Sequence, residues 1–160
     1  MIKEQLYILK VALSHAKRIW RRIEIPGNQS LDQLHETIFN AFDRYDPHMY
    51  SFYLTKPGSK ARGRFANAPE YTHPYAIEEN SSWGYKKLHD AAETRISDLN
   101  LKVKDKFEYL FDFGDDWLHE ITVEKVLDIF PKGNYPKITE KKGESPPQYQ
   151  EYDEEEEEEY

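Results

Sequence analysis

Residues 105 to 127 read D-K-F-E-Y-L-F-D-F-G-D-D-W-L-H-E-I-T-V-E-K-V-L, and this stretch decides the fold. Phe107, Tyr109, Phe111 and Phe113 alternate with Glu108, Leu110 and Asp112. After Gly114, Asp115 and Asp116 the odd series resumes as Trp117, His119, Ile121 and Val123. Alternation with a period of two marks a strand with one buried face. A three-residue loop at 114–116 pairs Phe113 with Trp117, Phe111 with His119, Tyr109 with Ile121 and Phe107 with Val123. Every large apolar side chain then falls on one face. A two-residue turn at Gly114 and Asp115 mixes the faces, because a one-residue slip flips the register. The stretch therefore predicts an antiparallel hairpin with Gly114 to Asp116 as its loop.

Working outward, Tyr7, Leu9, Val11 and Leu13 alternate with polar or small residues, and Ile19, Ile23 and Ile25 do the same after a link at 14–17. Two such runs with a short link predict a second hairpin. Arg22 and Glu24 fall on its other face, and Trp20 with them, so Trp20 is expected to be partly covered. Pro26 and Gly27 end the strand. Ser30-Leu31-Asp32-Gln33 is a capping-box sequence, and Leu31, Leu34, Ile38, Ala41 and Phe42 follow at helical spacing. One amphipathic helix of about three turns is expected, stopped by Asp46-Pro47. His48 to Leu54 reads as another strand. Residues 57–64 form a Gly-rich basic loop, 66–92 a long irregular insertion without a period, and Ile96 to Leu101 a short helical turn. Beyond Lys132 Gly, Pro and Lys dominate, and order is expected to fade. The fold class is α+β: a mostly antiparallel sheet with one principal amphipathic helix packed on it and a long irregular insertion.

The chain has 160 residues, which suits one domain. Residues 1–149 are read as that domain and 150–160 as a disordered acidic tail, since a glutamate run cannot bury apolar area to offset chain entropy. The net charge of −8 comes from the tail. Eight of the 30 acids lie in residues 151–159, which leaves 22 acids against 22 Lys and Arg in the body. No body-wide nucleic-acid footprint is visible in that balance. A local one remains at Lys56, Lys60, Arg62 and Arg64, on a loop that either is simply solvated or contacts an anion. There is no cysteine, so disulfides, thiolate metal sites and cysteine nucleophiles are excluded. The N-terminus lacks a signal-peptide core and no run of 18 apolar residues occurs. A cytoplasmic protein without membrane contact is expected. The twelve tyrosines, eight phenylalanines and three tryptophans point to a β-rich core before an aromatic ligand platform.

Asp112, Asp115, Asp116 and His119 form the one dense cluster of acid–base or metal-capable side chains. Oxygen ligands with an imidazole suit Mg²⁺, Mn²⁺ or Zn²⁺. The competing reading is structural, with turn aspartates hydrogen-bonding their own backbone and His119 as a satisfied core histidine. His35, on the helix flank, and His48, at the next strand, are further candidates. No Gly-rich phosphate loop, HExxH or GxSxG is present. No cofactor or bound metal is expected.

The motifs I-W-R-R-I (19–23), L-H-E (34–36), His48, I-S-D-L (96–99) and Y-L-F-D-F-G-D-D-W-L-H-E (109–120) occur in that order. This series resembles the plasmid pRiA4b ORF-3-like family, over about Leu6 to Tyr149. The resemblance implies signature positions at Trp20, Arg21, Arg22, His35, His48, Asp112, Gly114, Asp115, Asp116, Trp117 and His119. It implies little chemistry, since the family is largely uncharacterised and the resolvase or repressor labels of some members follow mobile elements or fused domains. Relatives often carry a second histidine where Tyr50 stands, and cysteines in the segment matching Lys137 to Tyr149. Both departures weaken a histidine–cysteine metal site. The expected function is a non-enzymatic binding module for an unknown protein or nucleic acid, with ties to mobile elements. The alternative is a metal-dependent enzyme acting on nucleic acid through an Asp/His site on the 107–127 hairpin. In a structural role Asp112 is expected to pair with Arg21 or Arg22.

Overall fold

The computed structural model describes residues 4–55, 64–80 and 86–149, with the backbone alone at 64, 79 and 80. One eight-stranded sheet dominates it. The strands are β1 (Leu6–Leu13), β2 (Ala16–Pro26), β3 (Tyr50–Tyr53), β4 (Glu70–Thr72), β5 (Leu88–Asp90), β6 (Lys106–Phe111), β7 (Trp117–Leu127) and β8 (Lys137–Lys142). Their spatial order is β5-β4-β3-β6-β7-β1-β2-β8. Every pair is antiparallel except β4–β5, which is parallel. The helices are α1 (Leu31–Ala41), α2 (Arg64–Asn67) and α3 (Pro74–Asn80), with a 3₁₀ turn at Ile96–Leu99.

The alternation governs the sheet as expected. Leu9, Val11, Ile23, Ile25, Phe52, Phe107, Tyr109, Phe111, Ile121 and Val123 are fully buried. The helix α1 covers this face with Leu31, Leu34, Ile38 and Ala41. Its capping box is complete: Gln33 N–H donates to Ser30 Oγ at 3.1 Å, and Ser30 N–H donates to Gln33 Oε1 at 2.8 Å. The even-numbered residues carry charge on the other face. Glu120 lies between Lys17 and Lys106 at 3.1 and 3.2 Å. Trp20 lies beneath Lys10 and Arg22, with the cations 5.0 and 4.9 Å from its ring, so its partial cover comes from charged side chains.

Five expectations need correction. In its described residues, 66–80 and 86–92, the insertion is not irregular. It contributes β4 and β5, so the sheet extends two strands beyond β3 and is larger than a one-helix packing implies. Strands of three residues are too short to show a period. The 107–127 hairpin keeps its faces but pairs two residues differently, with Phe107 opposite Ile121, Tyr109 opposite His119 and Phe111 opposite Trp117. Its loop is 112–116, and Phe113 is 44% exposed. The physical reason is Asp112, whose positive φ of 63° ends the strand early. An even shift preserves the faces, so burial could not have revealed it. The helix stops at Ala41, before Asp46-Pro47, with Asp43 at φ 55° turning the chain. The strand read over His48 to Leu54 is trimmed to Tyr50–Tyr53. Order also persists past Lys132. There β8 pairs with β2, and Gly143 at φ 79° turns the chain tightly over Ile19 into a C-terminal strap at 144–149. The acidic tail falls outside the described residues.

Candidate functional site

His35, His48 and the signature residues from Asp112 to His119 gather at one end of the sheet, where the β6–β7 tip meets the loop after α1 and the strap, whereas Trp20 and Arg22 lie on the opposite face. Asp112 organises the tip. Its N–H donates to Met49 O at 2.9 Å, and its carbonyl accepts from Asp116 N–H at 2.7 Å. Its carboxylate accepts from the N–H groups of Gly114 and Asp115 at 3.1 and 3.3 Å. This is an Asx-type turn, the local geometry aspartate favours. Asp112 is buried while Asp115 and Asp116 are exposed, so the three carboxylates do not converge.

Beneath the tip lies His119, fully buried. Its Nδ1 is 3.1 Å from the carbonyl of Tyr109, and a carbonyl only accepts, so the proton sits on Nδ1. Nε2 is then the acceptor for Arg44 Nη2–H at 2.7 Å. Burial, and after it the Arg44 charge, holds His119 well below the usual histidine range. Tyr109 continues the chain of contacts, with its hydroxyl 2.5 Å from Nδ1 of His35. His35 stacks on Tyr50 at 3.8 Å and is pushed down to about 3 by burial first, then by His73 and Arg44. Tyr50 O–H in turn donates to Asp32 at 2.5 Å. His35 and His119 are thus joined through one tyrosine, and both are neutral.

Arg44 is the residue that sequence reasoning missed. It is 7% exposed, and its guanidinium lies 5.1, 5.0 and 5.3 Å from the rings of Phe42, Phe111 and Trp117. Burial lowers it to about 10, which leaves it charged at neutral pH. Its Nη1 and the indole Nε1 of Trp117 are buried without an acceptor among the described residues. No carboxylate comes within 4.0 Å of it among the described residues. An arginine in a D-R-Y-D loop carries no signal of this in the sequence.

Arg21 and Arg22 take other roles than the expected pair with Asp112. Arg21, 2% exposed, donates through Nε to Ala41 O at 2.8 Å and through Nη1 to Trp20 O and Lys142 O at 2.9 Å each. It caps the carbonyl end of α1, where a cation is favoured, and packs on Phe42 at 4.9 Å. Arg22 points to the opposite face and bonds Glu124 and Glu140. An inward arginine was missed because its phase along β2 is that of the apolar residues. Asp112 meets His48 instead, at 3.5 Å.

The strap closes the end. Ser145 O–H donates to Phe42 O at 2.7 Å. Gln148 accepts from the N–H groups of Tyr45 and Asp46 at 3.0 and 3.1 Å and donates to Asp46 O at 2.7 Å. Tyr149 O–H donates to Asp46 at 2.5 Å and lies 2.6 Å from His48. Of the basic loop, Lys56, Lys60 and Arg62 and the side chain of Arg64 lie outside the described residues. Among the described residues no three His, Asp or Glu side chains gather to hold a metal ion. None of their helices is long and apolar enough to cross a membrane.

Sheet, principal covering helix and buried Arg–His–Tyr end together define an α+β sheet protein that folds Arg21, His35, Asp112 and His119 of its polar signature into its core. The chain belongs to the family described as plasmid pRiA4b ORF-3-like protein, whose model matches residues 5–151. It is 27% identical over 141 residues to the uncharacterised protein y4hQ of Sinorhizobium fredii (strain NBRC 101917 / NGR234). That match covers 88% of this chain and 63% of y4hQ, so the chain spans less than two thirds of that relative. The crystal structure of a protein of unknown function, MM3350 from Methanosarcina mazei Go1, is similar with a TM-score of 0.66 at 25% identity. It covers 92% of this chain and 74% of that one.

Proposed function

We propose that this chain is a non-catalytic binding module for a protein or nucleic-acid partner, with its working end at the β6–β7 tip, the loop after α1 and the strap. What carries the reading is the state of His119. The side chain best suited to acid–base or metal chemistry has both ring nitrogens engaged and no solvent contact. Asp112 is likewise engaged by its own turn. General acid–base work needs a group within reach of a reacting proton, and neither is so placed. Around this frame Tyr45 and Phe113 are 70% and 44% exposed.

The test is elemental analysis of the purified full chain, with thermal melts in Mn²⁺ and Zn²⁺. The module reading expects no stoichiometric metal and no stabilisation. Stoichiometric metal with a matching rise in melting temperature overturns it in favour of a metal-dependent enzyme. Binding of duplex and single-stranded oligonucleotides between low and moderate salt then separates the partners. Contacts through Lys56, Lys60, Arg62 and Arg64 to phosphates weaken steeply with salt. Binding that ignores salt, or is absent at low salt, points to a protein partner.

A further inference from the structure

We propose that Arg44 and Trp117 together form a binding site for a carboxylate group. This deepens the module reading and rests on it, by naming the chemistry the working end recognises. Buried donors without acceptors are rare and costly. Here there are two in adjoining groups, Arg44 Nη1 and Trp117 Nε1, with the guanidinium 5.3 Å from the indole ring. Arg44 is 7% exposed, and among the described residues the acceptor its guanidinium meets is neutral His119 and no carboxylate lies within 4.0 Å. A second buried guanidinium, Arg21, packs on the same Phe42 ring and is turned toward carbonyls, so it adds positive charge without relieving the first. A buried cation calls for an anion.

The donor set selects the anion. Two unpaired N–H groups on adjoining side chains call for an anion with more than one acceptor oxygen, and the single charge of a carboxylate cancels that of Arg44. A phosphate brings further oxygens and charge that Phe42, Phe111 and Trp117 cannot solvate. A water supplies a lone pair but leaves the charge uncompensated. The strap is the door. It grips Phe42, Tyr45 and Asp46, the residues flanking Arg44, through the side chains of Ser145, Gln148 and Tyr149. Its release frees the loop that carries Arg44. Two sources offer a carboxylate: a free organic acid, or a glutamate of a polypeptide. Glu151 and six consecutive glutamates from Glu154 follow the strap directly in sequence.

Thermal melts of the full chain in acetate and benzoate, against chloride and inorganic phosphate at equal ionic strength, test the site. The same series is run on a full-length variant in which the eight acids of 151–159 are replaced by their amides. A saturable rise with carboxylates in the unaltered chain supports the site with a free acid as occupant. A rise that emerges only in the amide variant supports it with the chain's own glutamates as occupant. Arg44→Met, close in volume and uncharged, is expected to abolish the rise. Trp117→Phe, which keeps the ring and loses the N–H, is expected to weaken apparent affinity roughly tenfold, the size of one charged hydrogen bond. No rise in either chain overturns the proposal, and so does an equal rise in phosphate or in Arg44→Met. Those failures leave the module reading standing, since that reading falls on metal binding.

Discussion

Lowering the pH from 8 to 5 is expected to destabilise the protein through its two buried neutral histidines. His35 is held down at about 3, chiefly by burial, whereas its unfolded counterpart titrates at 6.5. Between those values the unfolded state binds a proton that the folded state refuses, so stability present above pH 6.5 is lost as the pH falls. At pH 5 the gap to the unfolded value is about 1.5 units, and at about 1.36 kcal/mol per unit His35 alone loses about 2 kcal/mol. His119, held well below its usual range by burial and by Arg44, adds in the same direction. Around His35 stand Tyr109, Tyr50, His73 and, at 4.0 Å, the largely exposed Glu36, which offers a new proton little compensation. For a chain of this length about 2 kcal/mol corresponds to a fall of about 4–8 °C in melting temperature. Ordinary carboxylates titrate mostly below this window, and so does Glu120, where burial pushes up but Lys17 and Lys106 together outweigh it and lower it. Circular-dichroism melts at constant ionic strength measure the slope, and His35→Phe is expected to reduce it whatever its effect at pH 8. A melting temperature flat from pH 7.5 to 5, or a slope undiminished in His35→Phe, refutes the assignment of a neutral buried pair.

Phe111→Ala is expected to cost about 3–5 kcal/mol, because Phe111 is fully buried against Phe39, His35 and Arg44, and Leu110→Ala on the opposite face less. Denaturant unfolding of both decides, and a reversed order sinks the face assignment. Asp112→Ala removes the acceptor for two turn N–H groups and is expected to cost about 1–3 kcal/mol, while Asp112→Asn retains most of the turn. An Asp112→Asn chain that melts higher than the parent would mean that repulsion, not the turn, governs the tip. Gln148→Ala is expected to loosen the strap with little change in global stability, read as faster amide exchange at Tyr45 and Asp46. Unchanged exchange there refutes the clamp.

Much of this fold is legible from residue types alone. Alternation at 107–127 identifies the inward face, and Ser30 with Gln33 marks the start of α1, because each signal is local. The hairpin's pairing was not legible, since a shift of two residues leaves the same side chains inside and only the backbone of Asp112 chooses between the alternatives. β4 and β5 were hidden by their brevity, and β8 by a composition of Lys, Thr and Glu that suits an edge strand as well as a loop. At the site, His119 read correctly as a candidate for burial, but its partner Arg44 did not. Pairing a buried imidazole with an arginine from a loop 75 residues away is a tertiary event. Arg21 was expected to seek a carboxylate, and it found the open carbonyls of a helix end.

The interior strand β1 has β2 on one side and β7 on the other. The second neighbour begins at Trp117, far along the chain from Leu13. A nascent chain therefore carries β1 with one edge unpaired while about 100 further residues are added, which at typical synthesis rates of about 5–20 residues per second takes about 5–20 seconds. For that time an apolar edge bearing Leu9, Val11 and Leu13 is open to any strand that passes. Arg21 waits longer still, because one of its carbonyl partners, at Lys142, emerges after everything else in the sheet. Among the strands of the sheet, β8 is the last to emerge, and it joins the first hairpin at the outer edge of β2.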